Sequence, residues 1–181
     1  SLTYHNNVVG ANGQRQAMYL ENVTGLAERI LRNFGLSEID TALIISSSGC
    51  NIVPIEMAEL FQQKKIKTVA IVSQKHLDAS TSKRSDGKKL SDFADIVLDT
   101  GAPAGDSMIY IDGLETPVSP GSTVGGIMII NSIKAEIAKL LTEAGQPPKV
   151  LTAGCVVGSE KATALFEAAY DEHAHRLAEL Y

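Results

Sequence analysis

The sequence predicts an α/β fold built around a mainly parallel sheet, and two observations carry this prediction. Short apolar runs alternate along the chain with segments whose apolar residues recur at helical spacing. At 44% hydrophobic residues, the 181-residue chain can also bury a substantial core. Since strands that alternate with helices pack as layers on a parallel sheet, we expect residues 1–181 to form a single domain of this class.

The strands are predicted from short apolar runs that lie between turn residues. They cover residues 41–47, 67–73, 95–101, 108–112 and 149–154. The first two runs show no polar alternation, which is typical of strands buried on both faces.

The helices are predicted from apolar residues at helical spacing and from the residues at their ends. They cover residues 15–35, 53–65, 90–94, 122–145 and 159–180. In the fourth helix, Ser122 or Thr123 can cap the start. Because the first half of that helix is apolar almost all round, we expect it to be deeply buried or to lie in a subunit contact.

Charge and cysteine content exclude several classes of protein. The net charge of −5 disfavours general binding to nucleic acid or to an anionic membrane surface, but it permits a local site for a small anion. No apolar run approaches the roughly 18 residues of a membrane span, and residues 1–14 do not resemble a signal peptide. Cys50 and Cys155 form no metal-spaced motif. We therefore expect a reduced, cytoplasmic protein without a metal or a cofactor.

Residues 46–51, SSSGCN, follow the first predicted strand and precede a predicted helix, and we name them the serine turn. Ligands of open α/β sheets bind beyond the carboxyl ends of strands. Amides at a helix start carry partial positive charge, serine hydroxyls add neutral donors, and Gly49 lets the backbone approach an anion closely. Without a lysine, the turn is not the Gly-rich nucleotide loop. A phosphate site and an ordinary helix cap both remain open.

The segment TALIISSSGCNIVPIEMAELFQQKKIKTVAIVSQ resembles the SIS (sugar isomerase) domain, a family of phosphosugar isomerases and binding proteins. The blocks SKRSDGKKL, DTGAPAGD and GSTVGGIMIINSI are similar to a less characterised branch labelled phosphoheptose isomerase-like. The resemblance implies a three-layer, flavodoxin-like sandwich. It leaves unmatched the long helix and first strand with which an SIS domain begins, so we expect a domain that lacks these two elements.

The resemblance and the position of the serine turn together predict a set of residues that bind the phosphate and the sugar. The resemblance implies Ser46, Ser48, Gly49 and Ser73, while Ser47, Asn51 and Thr123 are added because they lie in the turn or at a helix start. Alternatives remain for some of them, since Ser73 can satisfy a turn and Thr123 can cap a helix. Asp106 can bind sugar hydroxyls or its own backbone. Lys83 and Arg84 can form a lid over an anion, or they can be ordinary surface residues.

Isomerisation of an aldose to a ketose needs a base beside the carbonyl carbon and a donor for the enediol oxygen. His5 and Glu56 are our candidates for this pair. For Glu56, stabilisation of the helix start is the alternative. Phosphoheptose isomerases use a late-chain histidine, for which His173 or His175 would be available, although exposed surface histidines are the simpler interpretation. Cys50 can have a depressed pKa at a helix start but lacks a base partner.

The predicted function is therefore binding of a sugar phosphate by an SIS-type protein that forms a homodimer or tetramer, with isomerase activity of the phosphoheptose type. Two alternatives stay open. One is a phosphosugar sensor or regulatory module without catalysis, and the other is a lyase or etherase acting on an amino-sugar phosphate.

Overall fold

The computed structural model describes residues 13–178. The chain divides into two compact units, Ser1–Ile129 and Ile130–Tyr181, and each is described by itself. Of the residues predicted for the site, His5 lies outside the described residues.

The first unit has an α/β architecture. Its helices are α1 (Gly13–Leu20), α2 (Leu26–Leu31), α3 (Ile52–Gln63), α4 (Gln74–Ala79) and the start of α5 (Gly121–Glu143), with a 3-10 turn at Leu90–Asp92. Its strands are β1 (Thr41–Ile45), β2 (Lys67–Val72), β3 (Ile96–Asp99), β4 (Ser107–Ile109) and β5 (Val118–Pro120).

The first three strands form a parallel sheet in the order β1-β2-β3, which confirms the predicted fold class. β4 corresponds to the predicted strand at 108–112, and it pairs antiparallel with β5 rather than with the parallel sheet. The helix predicted over 15–35 is divided into α1 and α2, because Gly25 takes a φ of 79° at the start of α2.

Helices cover one face of the parallel sheet. The side chains of this face pack with α3, α4 and the 3-10 turn into a core of Ile55, Ala58, Ala70, Val72, Leu77, Leu90 and Phe93. On β2, Ala70, Ile71 and Val72 are fully buried, as predicted. On β1, Leu43 and Ile45 are exposed, so burial of this strand on both faces is wrong for the single chain. The difference follows from position, since β2 is the central strand of this sheet and β1 lies at its edge.

The second unit contains the rest of α5, a short helix α6 (Gly154–Val157) and a long helix α7 (Ser159–Ala178). The strand predicted over 149–154 is wrong: no strand is assigned there, and Val150 and Leu151 are exposed. A short apolar run becomes a strand only where a neighbouring strand pairs with its backbone, and none does so among the residues that the structure describes. Cys155 is exposed and is not a core residue.

α5 does not have the deep burial that is one of its two predicted alternatives. Val124 and Ile127 are each more than half exposed, at 55% and 56%. Within residues 13–178, no helix has both the length and the apolar character that a membrane crossing requires.

Candidate functional site

The carboxyl ends of the three parallel strands bring three connections together at one edge of the sheet. The Ser46 amide donates to the Ile71 carbonyl at 3.0 Å and thereby extends the β1–β2 pairing by one residue. The Ser73 amide donates to the Ser47 carbonyl at 2.9 Å, and the Thr100 amide donates to the Val72 carbonyl at 2.8 Å. The serine turn therefore lies where ligands of open α/β sheets bind.

The serine turn is closed by its own hydrogen bonds. The Gly49 amide donates to the Ser46 carbonyl at 3.2 Å, and the Cys50 amide donates to Ser48 Oγ at 3.3 Å. The Gly49 carbonyl accepts the Leu90 amide at 2.8 Å. These contacts attach the turn both to itself and to the 3-10 turn at Leu90–Asp92.

Gly49 is required for packing, which differs from the role expected from the sequence. It is buried and has a φ of 62°, a conformation that side chains disfavour. A Cβ atom at this position would lie 3.0 Å from Leu77 Cδ1 and 3.4 Å from Leu90 Cβ. The space left by the missing side chain is thus filled by core residues Leu77 and Leu90, whereas we expected a ligand to approach there.

A group of donors remains available in the same turn. The backbone amides of Ser47, Ser48, Asn51 and Ile52 have no hydrogen-bond partner among the residues that the structure describes. The Ser46 hydroxyl is also unpaired within this part of the chain. All five residues are partly accessible to solvent. Several donors that can reach an external acceptor are therefore concentrated in the seven residues 46–52, which are the serine turn and the first residue of α3.

The start of α3 offers fewer donors than a helix start usually does. The Val53 amide donates to the Glu21 carbonyl at 2.9 Å, and Pro54 has no amide hydrogen. The Asn51 side chain donates to the Glu21 carboxylate at 2.5 Å. Asn51 can therefore serve a ligand through its backbone amide, while its side chain is occupied.

Ser73 is fully buried, and its hydroxyl is occupied. Oγ donates to the Ala102 carbonyl at 2.7 Å and accepts the His76 amide at 3.2 Å, which caps α4. These contacts match the structural alternative for Ser73. Nearby, Asp99 accepts the amides of Gln74 and Gly101, and these hydrogen bonds lower the pKa of its carboxyl below the usual value.

Thr123 is exposed in the first turn of α5, whose start is capped by Asp106. The Asp106 carboxylate accepts the Ser122 amide at 2.7 Å and the Ser122 hydroxyl at 2.6 Å, so this aspartate is a helix cap. A Cβ atom on Gly125 would lie 2.3 Å from the Thr100 carbonyl oxygen. The start of α5 is therefore in close contact with the end of β3, beside the same sheet edge.

We name residues 80–89 the basic loop. Its two candidate cations, Lys83 and Arg84, have different environments. Arg84 binds Glu59 at 2.8 Å and Asp86 at 2.7 Å, its guanidinium lies 5.2 Å from the centre of the Phe93 ring, and its side chain is only 16% exposed. These contacts commit Arg84 to anchoring the loop. The Lys83 amide donates to the Cys50 carbonyl at 2.9 Å, which places exposed Lys83 directly beside the serine turn.

The Cys50 thiol is not activated. Burial raises its pKa above the usual value, and the nearby ammonium groups of Lys89 and Lys83 offset this effect only in part. The depressed pKa considered from the sequence is therefore wrong in direction.

The proposed catalytic residues are not brought together by any contact between described residues. Both carboxylate oxygens of Glu56 accept the Gly25 amide, at 3.2 and 2.9 Å, at the start of α2. Glu56 therefore has a structural role, but it caps the start of α2 and not, as the alternative had it, the start of its own helix α3. His173 and His175 are exposed on α7. No group of three or more potential metal ligands occurs in the described part of the chain.

Sequence reasoning assigned no role to His76, yet the structure brings it to the serine turn. His76 Nδ1 lies 3.3 Å from Ser47 Oγ. Its spacing from Ser73 could have indicated this position. His76 lies three residues after Ser73, in the first turn of α4, and this turn begins at the same sheet edge as the serine turn.

Gly49→Ala should destabilise the protein by about 2–5 kcal/mol, since an L-residue at positive φ costs about 1–2 kcal/mol and overpacking of a core costs about 1–3 kcal/mol. Gly87→Ala is the matched control, because Gly87 has a φ of 74° but open space around its Cβ position. Urea unfolding followed by circular dichroism measures both variants. Equal losses in the two variants would show that the core does not press on Gly49.

Comparison with known proteins identifies the family. The family model for the SIS domain matches residues 1–73, which include the whole serine turn and end at Ser73. UPF0309 proteins are similar over most of the chain. The one from Halalkalibacterium halodurans is 35% identical over 145 residues, which cover 80% of this chain and 60% of the relative.

Two further UPF0309 proteins give the same picture. That of Brucella anthropi is 34% identical over 78% of this chain and 57% of its own length, and that of Thermoanaerobacter pseudethanolicus is 34% identical over 82% and 61%. The chain thus spans about three fifths of the length of these relatives. The resemblance found in the sequence is confirmed, since residues 1–73 match the SIS domain and UPF0309 proteins are relatives over most of the chain.

Proposed function

We propose that this chain binds a sugar phosphate and holds the phosphate at the serine turn. The SIS family binds phosphosugars, and the turn lies within the matched residues 1–73. The amides of Ser47, Ser48, Asn51 and Ile52 and the hydroxyl of Ser46 are the donors of this proposed site. Ser73 and the Asn51 side chain, which we expected from the sequence to take part, contribute by supporting the turn.

One observation carries the proposal: unpaired donors are clustered in the serine turn while their neighbours are paired. The amides of Gly49, Cys50 and Val53 all have acceptors within the protein. Buried backbone donors in native proteins nearly always have a partner, whereas these partly accessible donors are free to bind an acceptor that comes from outside the chain. A phosphate, with several acceptor oxygens, is suited to satisfy such a group of amides and hydroxyls.

The positive charge of Lys83 compensates part of the negative charge of the phosphate. Its backbone is bonded to the serine turn through Cys50, and no ion pair to it is formed within the described part of the chain. Arg84 acts indirectly, since its contacts with Glu59 and Phe93 fix the basic loop. A local cation of this kind makes anion binding compatible with a net charge of −5.

Isomerase chemistry of the phosphoheptose type is the finer part of the proposal. It needs a base and a donor, for which His5 and Glu56 remain the candidates. Glu56 would have to leave the Gly25 amide before it could take a proton from a substrate. If Glu56 keeps this contact when substrate is bound, the turn binds the phosphate and no proton is transferred, as in the sensor alternative.

We also propose a cytoplasmic location, which fits the two free cysteines, Cys50 and Cys155.

Ser46→Ala should weaken binding of a sugar phosphate about tenfold or more without loss of stability, because a hydrogen bond to a charged group contributes about 1.5–3 kcal/mol. The double variant with Ser48→Ala should bind more weakly still, but it should also lose some stability, since Ser48 Oγ accepts the Cys50 amide. Isothermal titration calorimetry with a panel of sugar phosphates measures the affinities. Ser85→Ala, an exposed serine outside the turn, is the control. Wild-type affinity in Ser46→Ala would refute the site.

Incubation of the protein with candidate sugar phosphates in heavy water distinguishes an isomerase from a sensor and from a lyase or etherase. An isomerase should exchange a carbon-bound proton with solvent and yield a product of otherwise unchanged mass. A sensor should show saturable binding without exchange, and a lyase or etherase should change the product mass. We expect exchange with turnover for at least one sugar phosphate. Mass spectrometry and proton NMR of the products measure all three results.

We further propose that the chain forms a homodimer or larger assembly, because Val124 and Ile127 are exposed on α5. Light scattering should give at least twice the 19.2 kDa of one chain. Ile127→Glu should shift this mass toward the monomer, whereas Gln63→Glu, which adds the same charge at the exposed end of α3, should not. A wild-type chain that is monomeric at high concentration would contradict the proposal.

A further inference from the structure

We propose that His76 positions the Ser47 hydroxyl, so that the serine turn binds an anion more tightly when His76 is protonated. The observation behind this inference is the 3.3 Å separation between His76 Nδ1 and Ser47 Oγ. The inference rests on the proposed function, and it assigns a positioning role to a residue that the expected chemistry does not use.

Both residues are fixed relative to each other through Ser73. The Ser47 carbonyl accepts the Ser73 amide at 2.9 Å, and the Ser73 hydroxyl accepts the His76 amide at 3.2 Å. Leu77, the residue after His76, is buried against Gly49. The imidazole therefore comes from a helix that is packed onto the serine turn, and the distance between the two side chains follows from the fold.

When the neutral His76 ring carries its proton on Nε2, the protonation state of His76 determines which way the Ser47 hydroxyl proton points. A neutral imidazole whose Nδ1 carries no proton can only accept, so the serine hydroxyl donates to it and has no proton left for a ligand. A protonated imidazole can only donate, so Ser47 Oγ becomes the acceptor. The hydroxyl proton is then free for a ligand, and the amides of Ser47 and Ser48 in the same turn have no partner among the described residues either.

Charged groups around α4 set the field in which this change takes place. On the helix itself these are Lys75 and Asp78, and Asp78 accepts the side chain of Gln74. Asp99 accepts the Gln74 amide from the end of β3. Lys89 donates to the Leu77 carbonyl from the basic loop, and the serine turn adds the Cys50 thiol with Lys83 beside it.

Coupling between protonation of His76 and anion binding predicts the direction in which affinity changes with pH. A site that binds an anion better with His76 protonated must take up a proton on binding, and its affinity must fall as the pH rises. Histidine is the side chain whose charge can change around neutral pH, so the affinities are compared on either side of neutrality. The ligand is thereby identified as an anionic group that accepts hydrogen bonds.

Sulfate is the probe for the test, because phosphate itself changes charge near pH 6. We expect wild-type protein to bind sulfate about tenfold more tightly at about pH 5.5 than at about pH 8. Ser47→Ala and His76→Gln should each remove most of this pH dependence. Lys75→Gln, which removes a neighbouring charge outside the proposed contact, should retain it.

Three results would overturn the inference. Sulfate binding that does not change with pH removes the coupling while leaving the proposed function in place. A pH dependence that persists in Ser47→Ala shows that His76 acts through its charge alone. No sulfate or sugar-phosphate binding at any pH refutes the proposed function and the inference together. If a variant fails to fold, nitrogen NMR of the wild-type His76 ring decides, since sulfate saturation should shift its titration to higher pH.

Discussion

The packing of Gly49 is the constraint on which the rest of this sheet edge depends. Its positive φ reverses the chain after β1, and its missing side chain lets Leu77 and Leu90 close over the turn. Its carbonyl also holds the 3-10 turn at Leu90–Asp92. A side chain here would press on α4 and on the core together. The position of the serines is thus a consequence of how the hydrophobic core closes.

Because the core side of the serine turn is fully satisfied, the unpaired donors are left on the accessible side. The amides of Gly49 and Cys50 point into the turn and find acceptors there. Glu21 occupies the Val53 amide and the Asn51 side chain at the start of α3. What remains is a compact set of amides and one hydroxyl, with Lys83 held alongside by Cys50. This separation between structural and available donors is the physical basis of the proposed phosphate site.

Local patterns in the sequence predicted the parallel strands and the place of the serine turn, because apolar runs and strand ends are encoded within a few residues. Contacts between distant residues were not predictable in this way. The burial of Ser73 depends on the Ala102 carbonyl, 29 positions away, and the role of Glu56 depends on Gly25. A role for His76 could be proposed only after the structure showed its distance from Ser47. The run at 149–154 had the composition of a strand but no strand to pair with among the described residues.

The central claim is that particular amides of the serine turn meet the phosphate, and amide NMR during titration with a hexose 6-phosphate tests it most directly. The amide signals of Ser47, Ser48, Asn51 and Ile52 should move downfield with a common saturation curve, because a phosphate oxygen becomes their acceptor. Those of Gly49, Cys50 and Val53, which already have acceptors, should move little. Equal shifts in both groups, or shifts confined to another part of the chain, would contradict the claim.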